Sequence, residues 1–463
     1  MKNGTRASSL PTLSWEAIAK NGYYAILILS IAFLAFIAGS FTMYTERFPS
    51  QYFADAYRGG LALWEQRRRL DDPYPSEFWQ PARSDARGVT IYDNERAYDG
   101  LTLYTSGHGQ QALLISMDGE VVHEWSVPFS EIWDESAGTH PNPRPDQYIF
   151  YHKAALYPNG DLLAVYEAVG DTPYGYGLVK MDKDSRPIWT YMGRAHHDVD
   201  VGEDGRVYVL TQDVTQDVVE GFEHLKPPRL DDFVMVLSPD GEELKKIPLL
   251  QAFVDSPFKR MLNTVPWFAN GDYLHTNTVD VITAEQAERF PFATEGQVLL
   301  SMRDIGAIAV LDLDREQIVW ALQGPWVGQH DPDILPSGNV LLFDNFGHYG
   351  EGGISRVIEF DPETLALVWS YTGSAEKPFE SAIRSGQERL PNGNTLITES
   401  DGGRLLEVTR EGDIVWEYLN PERRSDDASE PRGANGELIA VVSGAQRIDP
   451  ARLDPDFLSD RPG

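Results

Sequence analysis

The chain of 463 residues has no cysteine. That removes disulfides, thiolate metal ligands and cysteine nucleophiles together, and leaves the redox compartment open. Basic residues are scarce, 39 Lys and Arg against 71 Asp and Glu, for a formal net charge of −32. So acidic a body repels phosphate backbones, and no nucleic-acid partner is expected. Helical periodicity is almost missing after residue 90. With 42% hydrophobic and 24% charged residues the chain can still build a sizeable core.

One long uncharged run exists, YYAILILSIAFLAFIAGSFTMY at 23–44. As a helix it is about 33 Å long, enough for a hydrocarbon core of about 30 Å. Tyr23, Tyr24 and Tyr44 stand where interfacial aromatics stand. The run exceeds the apolar stretch of a signal peptide and no clear A-x-A site follows, so it reads as an uncleaved anchor. Lys2, Arg6 and Lys20 precede it and only Arg47 and Arg58 closely follow. That excess predicts a cytoplasmic N terminus and a large C-terminal body on the periplasmic, extracytoplasmic side of the inner membrane. The expected division is a cytoplasmic segment 1–22, an anchor 23–44, a stalk or linker 45–98, a repeat domain 99–450 and a tail 451–463.

The repeats decide the fold class. LYPNGDLLAVYEA (156–168), DVGEDGRVYVLTQD (200–213), ILPSGNVLLFDN (334–345) and RLPNGNTLITES (389–400) each set a tight turn between alternating strands. Each unit ends in a second hairpin, and five of six close on tryptophan: Trp125, Trp189, Trp320, Trp369 and Trp416, with Ile247 in the third. Six such units predict an all-β, six-bladed β-propeller. Blades are expected near 99–127, 150–192, 196–249, 274–323, 329–372 and 384–418. The first lacks an inner strand, which ELIAVVSGAQRI (437–448) would supply, closing the ring. The tryptophans are read as packing between blades.

This register locates the histidines. Eight positions before the hairpin glycines Gly160, Gly205, Gly338 and Gly393 stand His152, His197, His330 and Ser385. In the fourth blade 282–296 lengthens the hairpin, but LHTNTVDVI (274–282) still starts near His275. Innermost strands converge on a propeller axis, so these imidazoles should share one channel mouth. Imidazole serves there as nucleophile, acid/base or metal ligand. Arg303 should return to the same mouth, with Asp213, Asp344 and Asn345 at comparable strand ends. A guanidinium among imidazoles, without a nearby run of carboxylates, suits an oxyanion better than a divalent cation.

RAHHDVDV (194–201), LHTNTVDV (274–281) with LLSMRDIGAIAVLD (299–312), GQHDPDILPSGNVLLFDN (328–345) and SGQERLPNGNTLITES (385–400) together resemble the bacterial arylsulfotransferase family across about 99–450. The resemblance implies an aryl-sulfate sulfotransferase that moves a sulfuryl group from an aryl sulfate donor to a phenolic acceptor. It further implies a sulfohistidine intermediate, with no nucleotide, cofactor or metal. By motif, His330 matches the nucleophile, and His197, His275 with Asn277, and Arg303 match the channel residues. His196 is the neighbour that exchanges roles with His197 if the register slips by one. His152 and Asn345 are expected substrate contacts. A membrane anchor and the lack of cysteine depart from soluble periplasmic members with a disulfide, and a homo-oligomer is left open.

Two other classes remain at this point. One is a non-catalytic, membrane-anchored propeller for binding or assembly, since fold alone does not choose. The other is a metal centre on His197, His275 and His330, three imidazoles being competent zinc ligands.

Overall fold

The computed structural model describes residues 15–45, 50, 76–137, 139–266, 271–426 and 433–459. The chain divides into two compact units, Met1–Pro73 and Tyr74–Gly463.

In the first unit a helix runs Trp15–Tyr44, 30 residues, beginning ahead of the apolar run. Ile28, Leu29, Phe33, Leu34 and Phe36 are all exposed on it. Among the described residues no helix is long and apolar enough to cross a membrane. Residues 1–14 of the expected cytoplasmic segment, and most of 45–75, lie outside the described residues.

The second unit is almost entirely strand. Ile149–Leu156, Ala195–Val201, Thr276–Val281, His330–Ile334, Gly386–Arg389 and Val442–Ile448 each head an antiparallel sheet of four strands, the 386–389 sheet carrying a fifth. These six inner strands adjoin one another in a closed cycle, the arrangement of a β-propeller around its channel. The closing strand pairs as expected with the first sheet, Val442 opposite Ser106 through Ile448 opposite Leu101. Only the second half of 437–448 does this. Glu437–Ala440 instead builds a three-stranded sheet with Trp79–Pro81 and Arg423–Ser425.

Two expectations change here. Trp79–Pro81 and Gly88–Tyr92 fall in the stretch read as stalk or linker, yet both are paired strands, the latter against Ile414–Leu419. The compact unit therefore begins near residue 74 rather than 99. The tail also packs. Phe457, on the short helix Pro455–Ser459, is buried with its ring 5.9 Å from Trp125 and 5.1 Å from His123. It closes over Gly160, where a Cβ would stand 2.4 Å from the ring and φ is +87°.

The tryptophans lock consecutive sheets. Trp125 Nε1 donates to the Gly160 carbonyl (3.0 Å), Trp189 to Pro239 (3.0 Å), Trp369 to Arg410 (2.8 Å) and Trp416 to Met117 (2.8 Å). Each acceptor lies in the turn of the next sheet, and the last bond joins the sixth sheet to the first. Trp125, Trp369 and Trp416 are buried and find a partner for the N–H in this way while filling the space between sheets, and Trp189 does so half-buried. Trp320 differs, stacking on Phe292 at 5.2 Å.

A feature the repeat did not reveal positions the channel mouth. Five inner strands break register at the same level: between Tyr151 and Ala154, His196 and Val199, Thr276 and Thr278, His330 and Asp333, and Val442 and Gly444. Bulges re-aim side chains, and here they turn consecutive residues toward the axis. His197, His275 and Asp331, and at the unbulged sixth strand Arg384 and Ser385, sit at φ between +49° and +80°, a left-handed conformation costing non-glycine residues about 1–3 kcal/mol.

Candidate active site

His152, His197, Asn277 and His330 line one small cavity of about 30 Å³ at the bulge level, with Arg384, Ser385 and Ser443. Of the expected strand starts, His152, His197, His330 and Ser385 are on this lining, which draws on all six sheets; His275 and Arg303 are not on it, though the His275 ring lies 5.1 Å from that of His197. His196 is not among them. It is fully buried behind His197, its Nδ1 2.8 Å from His197 Nδ1, so His197 is the member of the pair that faces the cavity.

His330 is held in one tautomer. Its Nδ1 donates to the Gly328 carbonyl (2.9 Å) and to Asn345 Oδ1 (2.8 Å). Asn345 is fully buried, and its Nδ2 donates to the carbonyls of Ser381 (2.9 Å) and Arg384 (3.0 Å), which leaves only the oxygen for His330. With Nδ1 protonated, the free lone pair is on Nε2. Burial lowers the imidazole pKa to about 3, the Asn345 bond opposing and the Arg303 charge adding to the shift. The ring therefore stays neutral. Asn345, an expected substrate contact, is off the cavity lining, and its oxygen meets His330.

The other imidazoles are oriented by carboxylates that the repeat pattern did not single out. Glu167 accepts from His152 Nδ1 (2.8 Å) and from the His197 backbone N–H (2.5 Å). Burial would raise Glu167, but His152 and His197 hold it at about 2. Burial and the surrounding imidazoles keep His197 well below its ordinary value. Asp272 accepts from His275 Nδ1 at 2.5 Å; burial would raise its carboxyl, and His275 with Arg303 holds it below the usual range.

Arg303 is tied to the His275 carbonyl through its backbone N–H (3.2 Å) and to Asp304 Oδ1 through Nε (2.8 Å). Among the described residues its two Nη groups have no hydrogen-bond partner. Tyr174 was missed altogether. Its ring lies 5.5 Å from His196, 5.4 Å from His197 and 5.9 Å from His275. The segment TPYGYG reads as a turn between strands, and nothing in its spacing shows that the turn reaches the mouth.

The channel beyond the histidines is larger, about 380 Å³, and acidic: Asp198, Asp200, Asp280, Asp331, Asp333 and Glu388 line it with Lys153. The expectation of no nearby carboxylate run is thus corrected. Residues one and three positions after the histidines point down the same channel because of the bulge and the strand period. Lys153 Nζ sits between Asp198 Oδ1 (3.3 Å) and Asp331 Oδ1 (3.4 Å). The larger cavity holds no imidazole; the histidines line the smaller one. Among the described residues, the group of three within reach of one ion is Glu167, His196 and His197. It is not the His197, His275 and His330 trio of the metal reading, and its atoms already bond one another.

No curated protein matches the chain. Among solved structures, a protein of unknown function from Bacteroides caccae aligns at TM-score 0.45 and 14% identity, over 70% of this chain and 94% of that one. A streptogramin B lyase aligns at TM-score 0.39 and 10% identity, over 80% and 98%. The WD40 β-propeller domain of Doa1 aligns at 0.38 and 11%, over 81% and 98%. The family model described as arylsulfotransferase (ASST) matches residues 153–421, more than half of the sequence and all but the first and last parts of the ring. The chain belongs to the arylsulfotransferase family.

Proposed function

We propose that the protein is a membrane-anchored arylsulfotransferase that carries a sulfuryl group between phenolic compounds on His330, without a nucleotide donor. The observation that carries this reading is the tautomer of His330: a neutral imidazole whose Nδ1 is occupied by two acceptors and whose Nε2 has no partner among the described residues, within the field of the Arg303 charge.

In the first half-reaction Nε2 attacks the sulfur of the aryl ester in line. The N–S bond forms as the S–O bond to the aryl group breaks, and the electron pair leaves on the phenolate oxygen. The free Nη groups of Arg303 take up charge on the sulfuryl oxygens. His275, backed by the Asp272 carboxylate, is placed to carry a proton to the departing oxygen. In the second half the acceptor phenol attacks sulfur, its proton returns through the same imidazole, and the N–S bond breaks. Two steps through one covalent intermediate give ping-pong kinetics. Tyr174 offers a ring face for the aryl group beside His197 and His275. The acidic channel below repels an anionic ester, so donor and acceptor enter from the histidine side.

Each of the six sheets is taken as one blade, and the apolar run 23–44 as the anchor that places the ring on the periplasmic side of the inner membrane. Purified protein given 4-nitrophenyl sulfate and a phenol should release nitrophenol, and the His330→Ala variant should not. Equal turnover by that variant would exclude the mechanism. The alternative, a non-catalytic binding propeller, predicts no release by either protein.

A further inference from the structure

Arg384 lines the cavity that His330 lines, and Arg303 does not. Arg384 stands two residues before the sixth inner strand, whereas Arg303 follows a strand of the fourth sheet. Arg384 is only 9% exposed, its Cζ lies 5.4 Å over the Phe150 ring, and its backbone is held at φ +58°. The Nη1 group is buried and has no hydrogen-bond partner. The nearby Asp401 does not supply one: Asp401 Oδ2 accepts from the Ala382 N–H (2.8 Å), and its Oδ1 is itself unpartnered. Ser443 Oγ, on the bulge of the closing strand, is likewise buried at 6% exposure and unpartnered. Both residues line the cavity that contains His330.

A buried guanidinium without a hydrogen-bonded counter-charge is expensive to hold. Here a second donor shares its cavity and a strained backbone fixes it in place. We infer that Arg384 and Ser443 form a second anion subsite, which takes a carboxylate carried on the aromatic ring of the donor or acceptor while the sulfuryl group lies at Arg303. The cavity of about 30 Å³ admits a group of a few atoms and not a ring, so the anion must be a substituent reaching in from an aryl group held at the mouth. Guanidinium and hydroxyl together match the two oxygens of a carboxylate. This rests on the sulfuryl-transfer reading for its substrate class, though the subsite is testable without turnover.

The test is calorimetric binding to the full chain in detergent of 4-hydroxybenzoate and its neutral isostere 4-hydroxybenzamide. The wild type should prefer the carboxylate at least tenfold. Arg384→Gln should remove that preference, and Ser443→Ala, which leaves the guanidinium in place, should reduce it severalfold. Arg384→Lys, retaining charge without the fork, should keep a part of it, which covers the case in which the glutamine variant fails to fold. No preference in the wild type, or the same ratio in the Ser443→Ala and Arg384 variants as in the wild type, would overturn the subsite. Equal weakening of both probes would also overturn it, since Arg384 would then not read the ring substituent. Binding is read without transfer, so loss of nitrophenol release in the His330 variant and loss of this preference are separate results.

Discussion

Asn345 accepts a hydrogen bond from His330 Nδ1 at 2.8 Å while both hydrogens of its own amide are committed to the Ser381 and Arg384 carbonyls. The amide cannot flip without placing N–H groups against a donor, so it fixes which imidazole nitrogen keeps its lone pair. Asn345→Leu should therefore slow sulfation of the enzyme about 10–100-fold, the usual cost of losing an orienting partner. Single-turnover rates on 4-nitrophenyl sulfate measure this. A melting temperature close to that of the wild type would separate the effect from unfolding.

The pH dependence follows from the same ring. Burial lowers His330 to about 3, so protons compete for Nε2 only well below the ordinary histidine range near 6.5. The rate of the first half-reaction should stay level from pH 7 down to about 5 and fall only in more acid solution. Because the Arg303 charge contributes to the lowering, Arg303→Gln should move that acid limb upward as well as slow the reaction. Rapid pH-jump measurements resolve both effects.

Tyr174 separates ring from hydroxyl. Tyr174→Phe keeps the face toward His196, His197 and His275 and should change KM for aryl sulfates less than threefold. Tyr174→Ala removes it and should raise KM about five- to tenfold, as loss of roughly 1–1.5 kcal/mol of aromatic contact requires. Steady-state kinetics on the two variants decide.

The indole locks are open to the same kind of subtraction. Trp416→Phe strands the Met117 carbonyl that Nε1 reaches at 2.8 Å and should cost about 1–3 kcal/mol. Trp320, which stacks on Phe292 and makes no such bond, should tolerate phenylalanine at under about 0.5 kcal/mol. Denaturant unfolding of the 74–463 unit compares them.

The repeating hairpin glycines and terminal tryptophans made the sheets legible, because a turn at positive φ and an indole between sheets leave a period in the sequence. The same period placed His152, His197 and His330 on common positions. What it did not carry was the backbone bulge, since one extra residue per strand leaves no compositional mark. The bulge is why Asp331 joins the mouth and why the carboxylates of Asp198, Asp280 and Asp333 line the channel beneath. Trp79–Pro81 and Gly88–Tyr92 were hidden for another reason. They are short strands among Pro, Arg and Asp, and only partners more than 300 residues away make them strands. Tyr174 belongs to the same class: a turn residue whose role depends on where neighbouring sheets put their histidines.

The most direct measurement is the intact mass of the protein after mixing with an aryl sulfate in the absence of acceptor, followed by peptide mapping. The account predicts a gain of one sulfuryl group, about 80 Da, on the peptide carrying His330, discharged when a phenol is added. An unmodified protein that nevertheless transfers sulfuryl groups, or a label on any other residue, would contradict it.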